Sequence, residues 1–510
     1  MEKAFWGMVA GCALAFGILL TVYLNKTGVI DLSPEPATEA VESAETTPRH
    51  EIDTDELYAL VYGEEWTQER IVPETEETQD VEEIIYTYEE KVDKSGYVEP
   101  DRNGDEEYFM PEATTSESDS KENQSEEEKT ETPESKKNSE YQYDLYSDHV
   151  VIKKYLGKKT DLVIPDTMDD KPVTEIAASA FSNAKKLVRV DIPNSVTTIG
   201  DNGFKGDEAL VEVFMPESLT SLGKGAFDGC SNLVKMTVPD GVTKILEKTF
   251  NECNAMTRIT LPEGITEIGE KAFYSCSGLQ KITLPEELIT IGDEAFFECL
   301  KLDKIVIPDK VTTIGESAFE CFAEATSIKL GKMVNKIGEL CFKSCYKVET
   351  VKLSPALTEI PMEAFMDNTS LTSCKITANV TNIGESAFEN CSALTEMAIP
   401  ANVEAIEASA FMGCKALTSL SFKSGITSIG DYAFNSCVLL ESVEIPKSVI
   451  NIGTEAFSSC SLLADVTIPK NTLSIGSAAF AGCPIQEVTI NKICAYRSDS
   501  FPEGTTIQYY

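Results

Sequence analysis

The residues of this 510-residue chain with the most chemistry in them are fifteen cysteines and two histidines. Ten of the cysteines, Cys230, Cys253, Cys276, Cys299, Cys345, Cys391, Cys414, Cys437, Cys460 and Cys483, are spaced by multiples of 23 residues. Thiols at that density could bridge, hold a metal ion or act as nucleophiles. The groups that would have to help them are scarce. His50 and His149 lie about a hundred residues apart, so Cys/His and Ser/His catalytic pairs and His-based zinc sites have little raw material. No G-x-S-x-G and no phosphate-binding loop occurs. Asp101-Arg102-Asn103-Gly104-Asp105 resembles a calcium loop but places its glycine fourth rather than sixth. The reading is a protein that is not an enzyme and that carries no cofactor and no metal.

A second set of residues carries charge at a fixed interval. Lys235, Arg258, Lys281 and Lys304 are 23 apart, and Lys329, Lys352 and Lys375 continue the series after a step of 25. They stand out in a chain with 85 acidic residues against 43 Lys+Arg and a net charge of −42. That balance repels phosphate backbones, so nucleic acid is excluded as a partner. The charge is uneven. Residues 28–140 hold 36 acids and 9 bases, nearly two thirds of the net charge in about a fifth of the chain. Like charges at this density cannot collapse onto a core, which predicts a disordered stalk. Trp66 and six tyrosines in its middle could dock on a partner or sit in transient helical turns.

The element that must position cysteines and cations alike is a repeat. Phenylalanine recurs at 181, 204, 227, 250, 273, 296, 319, 342, 365, 388, 411, 434, 457 and 480, always at an interval of 23. Cysteine follows three residues later in ten units; apolar residues fall near six, at nine and at eleven, with Pro often at twelve, Val or Ile at fifteen and eighteen, and Gly at nineteen. The alternation around nine and eleven predicts a short strand facing inward at those two positions, which Pro ends. Val and Ile form a second extended edge, Gly a sharp corner, and Ala-Phe-x-x-Cys a short helical turn. One such coil buries about six apolar side chains at roughly 1.5–3 kcal/mol each, against an ordering cost of about 1–2 kcal/mol per residue. A single coil cannot fold, and the stacked array is the folding unit.

Stacking decides between the fates of the thiols. Equivalent side chains in stacked coils run parallel, whereas a disulfide needs two Cβ atoms turned toward each other at about 3.8 Å. A ladder of buried reduced thiols acting as small apolar fillers is expected, with Cys321, Cys341 with Cys345, Cys374 and Cys494 as the places where it could fail. Positions eight and ten after each Phe point away from the core. Lys235, Arg258, Lys281, Lys304, Lys329, Lys352 and Lys375 therefore form a candidate ligand-binding stripe of roughly 30 Å at about 4.8 Å per strand. The face then turns neutral to acidic at Glu396, Ser419, Ser442, Glu444, Asp465 and Glu487. The plain alternative is that lysine is simply a favoured solvated residue on exposed strands.

The pattern Ile-Gly-x-x-Ala-Phe-x-x-Cys-x-x-Leu-x-x-Val-x-Ile-Pro-x-x-Val-Thr-x-Ile resembles the BspA-like leucine-rich-repeat family of surface proteins over about residues 145–510. The resemblance takes in an opening unit, Ile164-Pro165 with about five extra residues before Val173, and a closing unit ending at Phe501-Pro502. It implies a leucine-rich-repeat solenoid with a curved parallel sheet, and adhesion to proteins or cells in many members, with no shared catalytic residues.

Residues 4–24 are uncharged and long enough to cross a bilayer as one helix. Lys26 at the −3 position disfavours signal cleavage, and a lipoprotein box at Cys12 leaves the apolar run after it unexplained. The expected organisation is a transmembrane signal anchor (1–27), a disordered acidic stalk (28–140), an N-terminal cap (141–180), the solenoid (181–483) and a C-terminal cap (484–510). The expected protein is a monomer held in the cell membrane by a single pass, its C-terminal part extracellular, binding a protein or an anionic glycan. The tethered acidic segment, at an effective concentration in about the millimolar range, could cover the stripe and compete with such a ligand. The competing function is a passive spacer of the cell envelope.

Overall fold

The computed structural model describes residues 132–423 and 425–510. The span at 4–24, most of the acidic segment, Trp66 and the Asp101–Asp105 run lie outside the described residues. The alternating pattern of each unit produces two parallel ladders. In the first, strands such as Lys235–Thr237 and Arg258–Thr260 stack in register with Met236 and Ile259 inward. In the second, pairs such as Thr290–Ile291 and Thr313–Ile314 stack with both isoleucines buried. About sixteen coils follow one another in this way.

Between the ladders the phenylalanines form one column. Ring centroids of successive residues from Phe181 to Phe480 lie 4.9–5.7 Å apart, all stacked. Both caps lengthen it, Tyr155 at 5.2 Å from Phe181 and Phe501 at 5.4 Å from Phe480. The ten repeat cysteines lie beside this column, buried and unbridged. The thiol is more than filler: each Sγ–H donates to the carbonyl of the Phe 26 residues earlier, as Cys299 does to Phe273 at 3.2 Å. Cysteine suits the position because it is small, apolar and still a weak donor. Asp207 and Asn368 replace it in two coils, and there the side-chain Oδ1 instead accepts a backbone N–H, from Ala184 at 2.6 Å and from Cys345 at 2.8 Å.

The turn segment differs from the expected helical turn, and no helix occurs among the described residues. In all fourteen units the residues two before and two after the Phe have left-handed φ, for example Lys271 (54°) and Ser275 (51°) around Phe273. Two left-handed residues in five interrupt any helix. They turn three N–H groups toward the next coil, and those of Gly225, Phe227 and Gly229 donate to Glu247, Thr249 and Asn251 at 2.8 Å. Hydrogen bonds to the next coil repay the backbone strain. The corner glycine also has a different role. Gly338 is not left-handed; a Cβ there would lie 2.3 Å from the backbone N of Glu316 in the preceding coil, so glycine permits close approach.

The caps close the ends. The extra residues after Pro165 form an antiparallel hairpin of Thr167–Met168 with Lys171–Ile176, turning at Asp169 and Asp170, both with positive φ. Three strands, β1 (Glu134–Lys137), β2 (Tyr141–Leu145) and β3 (Val150–Tyr155), pair antiparallel, and β3 joins the second ladder. The folded unit therefore reaches back at least to Glu134, into what the sequence assigns to the stalk. At the other end Glu487–Ile490 pairs with Thr506–Tyr509.

Candidate ligand-binding face

Because strand side chains alternate, burying Met236, Ile259 and Ile328 forces their neighbours outward. The structure places all seven predicted cations on that outer face, and every one is exposed. Lys235 pairs with Arg258, Arg258 bridges to Lys281, and Lys329 pairs with Lys352. The row runs in two segments. Lys304 precedes the strand Ile305–Val306, and it is Val306, two residues on, that pairs with Lys329, so the row steps sideways by about 6.6 Å there.

The surroundings of these cations differ from those of other lysines. Along the edges of the coils, lysines meet a carboxylate one coil away: Lys224–Glu247 at 3.2 Å, Lys244–Glu267 at 2.8 Å, Lys271–Glu294 at 2.8 Å, Lys310–Glu287 at 2.6 Å. On the strand face Lys235 reaches Glu212 at 4.0 Å, and the other six cations form no ion pair among the described residues. Like charges directly opposite each other on paired strands are destabilising. Lysine that guards a sheet edge explains such a cost, but these strands are interior to the stack.

Sequence reasoning missed two cations on this face. Arg189, before the row, lies over the ring of Phe214 at 4.3 Å and near Glu212 at 3.8 Å. Lys423, beyond the row, occupies the position where most coils have Pro, and that substitution was the available signal. Beyond Lys375 the outer positions are Glu396, Ser419, Ser442, Glu444, Asp465 and Glu487, all exposed, as the alternation predicts.

The other candidate chemistry, the thiols, is largely closed off by burial; Cys483 differs in being held below the ordinary thiol value by its hydrogen bond with Cys460, and Cys321 in being only half-buried. Burial pushes Cys276 and Cys437 up to about 12, and a protonated thiol is a poor nucleophile and a poor metal ligand. Among the described residues no group of three His, Cys, Asp or Glu side chains is placed to hold a metal ion. Treating the native full chain with iodoacetamide at pH 8 should leave the ten repeat cysteines unlabelled until denaturant is added. Labelling of Cys276 or Cys437 in the native protein at the rate of a small thiol would contradict the closed ladder.

A profile of the BspA type leucine rich repeat region matches the chain in six copies, within residues 174–288, 266–395 and 382–507. No curated protein matches it. Among solved structures, a leucine-rich repeat protein from Bacteroides ovatus is 24% identical, covering 73% of this chain and 98% of its own, with a TM-score of 0.56. That similarity shows the fold. A leucine rich cell surface protein from Faecalibacterium prausnitzii is 27% identical over 74% of this chain and 95% of its own, with a TM-score of 0.42. The pneumococcal vaccine antigen PcpA is 18% identical over 74% of this chain and 94% of its own, with a TM-score of 0.43.

Proposed function

Because the chain belongs to the BspA type leucine rich repeat family, we propose that it is a surface binding protein, held to the membrane through residues 4–24, whose strand face takes an extracellular protein or an anionic glycan. The observation that carries this reading is the row from Arg258 to Lys375, six cations that form no ion pair among the described residues, in a chain of net charge −42. A spacer derives no benefit from concentrating unpaired positive charge on one face. A ligand with carboxylates or sulfates along its length would remove the repulsion within the row on binding, and complementary fields would speed its capture. Hydroxyls of Thr237 and Thr260 beside the row can add hydrogen bonds.

The test is to bind the full chain to matrix proteins and to acidic and neutral glycans at low and high salt. At least one acidic ligand should bind, more weakly at high salt, because exposed charges are screened within about 8 Å at physiological ionic strength. Changing Arg258, Lys281 and Lys304 together to Ser should weaken binding by up to about a hundredfold, since each exposed contact contributes up to about 1 kcal/mol. Unchanged affinity in that variant would overturn the role of the row. No ligand at any salt concentration would favour the spacer.

A further inference from the structure

Past the end of the cationic row the strand face is hollowed. Where earlier coils present Lys, Arg and Thr, the three coils after Phe365 present Ser373, Ala398, Ser419 and Ser421. Glu396 pairs with Ser419 and Ala398 with Ser421 on adjacent strands. The small side chains leave a trough of about 930 Å³, floored by Val351, Cys374 and Met397. That volume lies within the range of about 300–1,000 Å³ of small-molecule sites. Lys375 and Lys423 line it as well, Lys423 standing where most coils have the Pro that ends the strand. Among the described residues, none of these serine hydroxyls, nor Lys375, Lys423 or Glu396, has a hydrogen-bond or ion-pair partner. The floor is inert as chemistry, since burial pushes the Cys374 thiol up to about 12. The trough offers no aromatic platform for a neutral sugar ring to stack on. It combines two cations, one carboxylate and three unpartnered serine hydroxyls, while Thr377 and Asn402, which also line it, donate to the carbonyls of Ser354 and Ala378.

We infer that this trough binds a carboxylated sugar residue, one unit of an acidic glycan whose further charges follow the row back toward Arg258. The inference rests on the proposed function and names the ligand of that same face. Lys375 and Lys423 meet the sugar carboxylate. Glu396 accepts hydrogen bonds from ring hydroxyls, and Ser373, Ser419 and Ser421 donate to or accept from the others. Glu396 is the discriminating group. It repels a densely charged polyanion that has no hydroxyls to offer, and rewards a ligand that carries donors beside its charge.

The test is calorimetric titration of the full chain with a short oligogalacturonate, with a neutral galactose oligosaccharide and polyglutamate as comparison probes. The oligogalacturonate should bind most tightly. Glu396→Ala should weaken it about tenfold, the effect of losing one hydrogen bond to a charged group, and Ser421→Phe, which fills the trough without changing charge, should weaken it at least as much by excluding the sugar ring. Glu396→Ala should leave polyglutamate binding unchanged or strengthen it. Both variants sit at exposed positions, and their melting temperatures should match that of the wild type. If both bind oligogalacturonate like the wild type while Arg258→Ser with Lys281→Ser loses it, the trough assignment falls and the proposed function stands. If polyglutamate binds as well as oligogalacturonate, the face reads charge alone and the sugar assignment falls. If neither acidic probe binds, the sugar assignment falls, and binding of a matrix protein to the same face decides whether the proposed function stands.

Discussion

Phe296→Ala is expected to lower stability by about 3–5 kcal/mol, the cost of emptying an aromatic core site. The ring is fully buried and stacked at 5.1 Å on Phe273 and 5.2 Å on Phe319. Its loss therefore removes contacts from two interfaces between coils as well as one side chain from the core. Neither neighbour can move into the gap, because each is held by its own coil and by the N–H···O bonds that join Phe273 to Ala295 and Phe319 to Cys341. In a solenoid each coil contacts only its neighbours, so the weakening should be local. Hydrogen exchange should show the coils around Phe273, Phe296 and Phe319 losing protection first. Uniform loosening from residue 181 to residue 480 would contradict the one-dimensional coupling.

Asp207→Asn is expected to remove the loss of stability that ionisation of Asp207 causes in the wild type between about pH 4 and pH 8. Asp207 is fully buried in the cysteine column; its Oδ1 accepts the N–H of Ala184 and its Oδ2 has no partner. Burial pushes its carboxyl up to about 8, because an ion taken from water into the core without a counter-charge is penalised. The folded protein thus holds a proton that the unfolded chain releases near pH 4. Stability is full below that value and falls as the pH rises through about 8. Asparagine keeps the accepting oxygen and cannot ionise, and the chain already uses Asn368 in this way at the equivalent place. Melting temperatures should therefore fall from pH 5 to pH 9 more steeply in the wild type than in the variant. Parallel profiles would mean that Asp207 is ionised in the fold at neutral pH.

Much of this architecture was legible because the period never slips. With fourteen phenylalanines in register, alternation at nine and eleven residues past each ring was enough to separate buried Ile259 from exposed Arg258, and so to place the whole cationic row. The turn segment was harder to read. Its left-handed residues are Lys271, Glu294, Glu363 or Tyr432 as readily as glycine, because inter-coil hydrogen bonds, and not local preference, hold them there. The recurrent glycine at the corner suggested a special φ, whereas the real constraint, the backbone of the coil beneath, appears only once two coils are stacked. The same holds for the trough. Ser373, Ala398, Ser419 and Ser421 are unremarkable singly, and they make a site only when three strands place them side by side.

Which lysines a ligand covers is the most direct test of the account. The full chain would be acetylated briefly with and without polygalacturonate, and the extent of modification read for each lysine by mass spectrometry. The account predicts that Lys281, Lys304, Lys329, Lys352 and Lys375 become protected together, while Lys185 and Lys310, exposed and paired with Glu208 and Glu287 on the edges of the coils, are modified as before. Protection spread evenly over all lysines, or confined to the coil edges, would contradict a binding face on the strands.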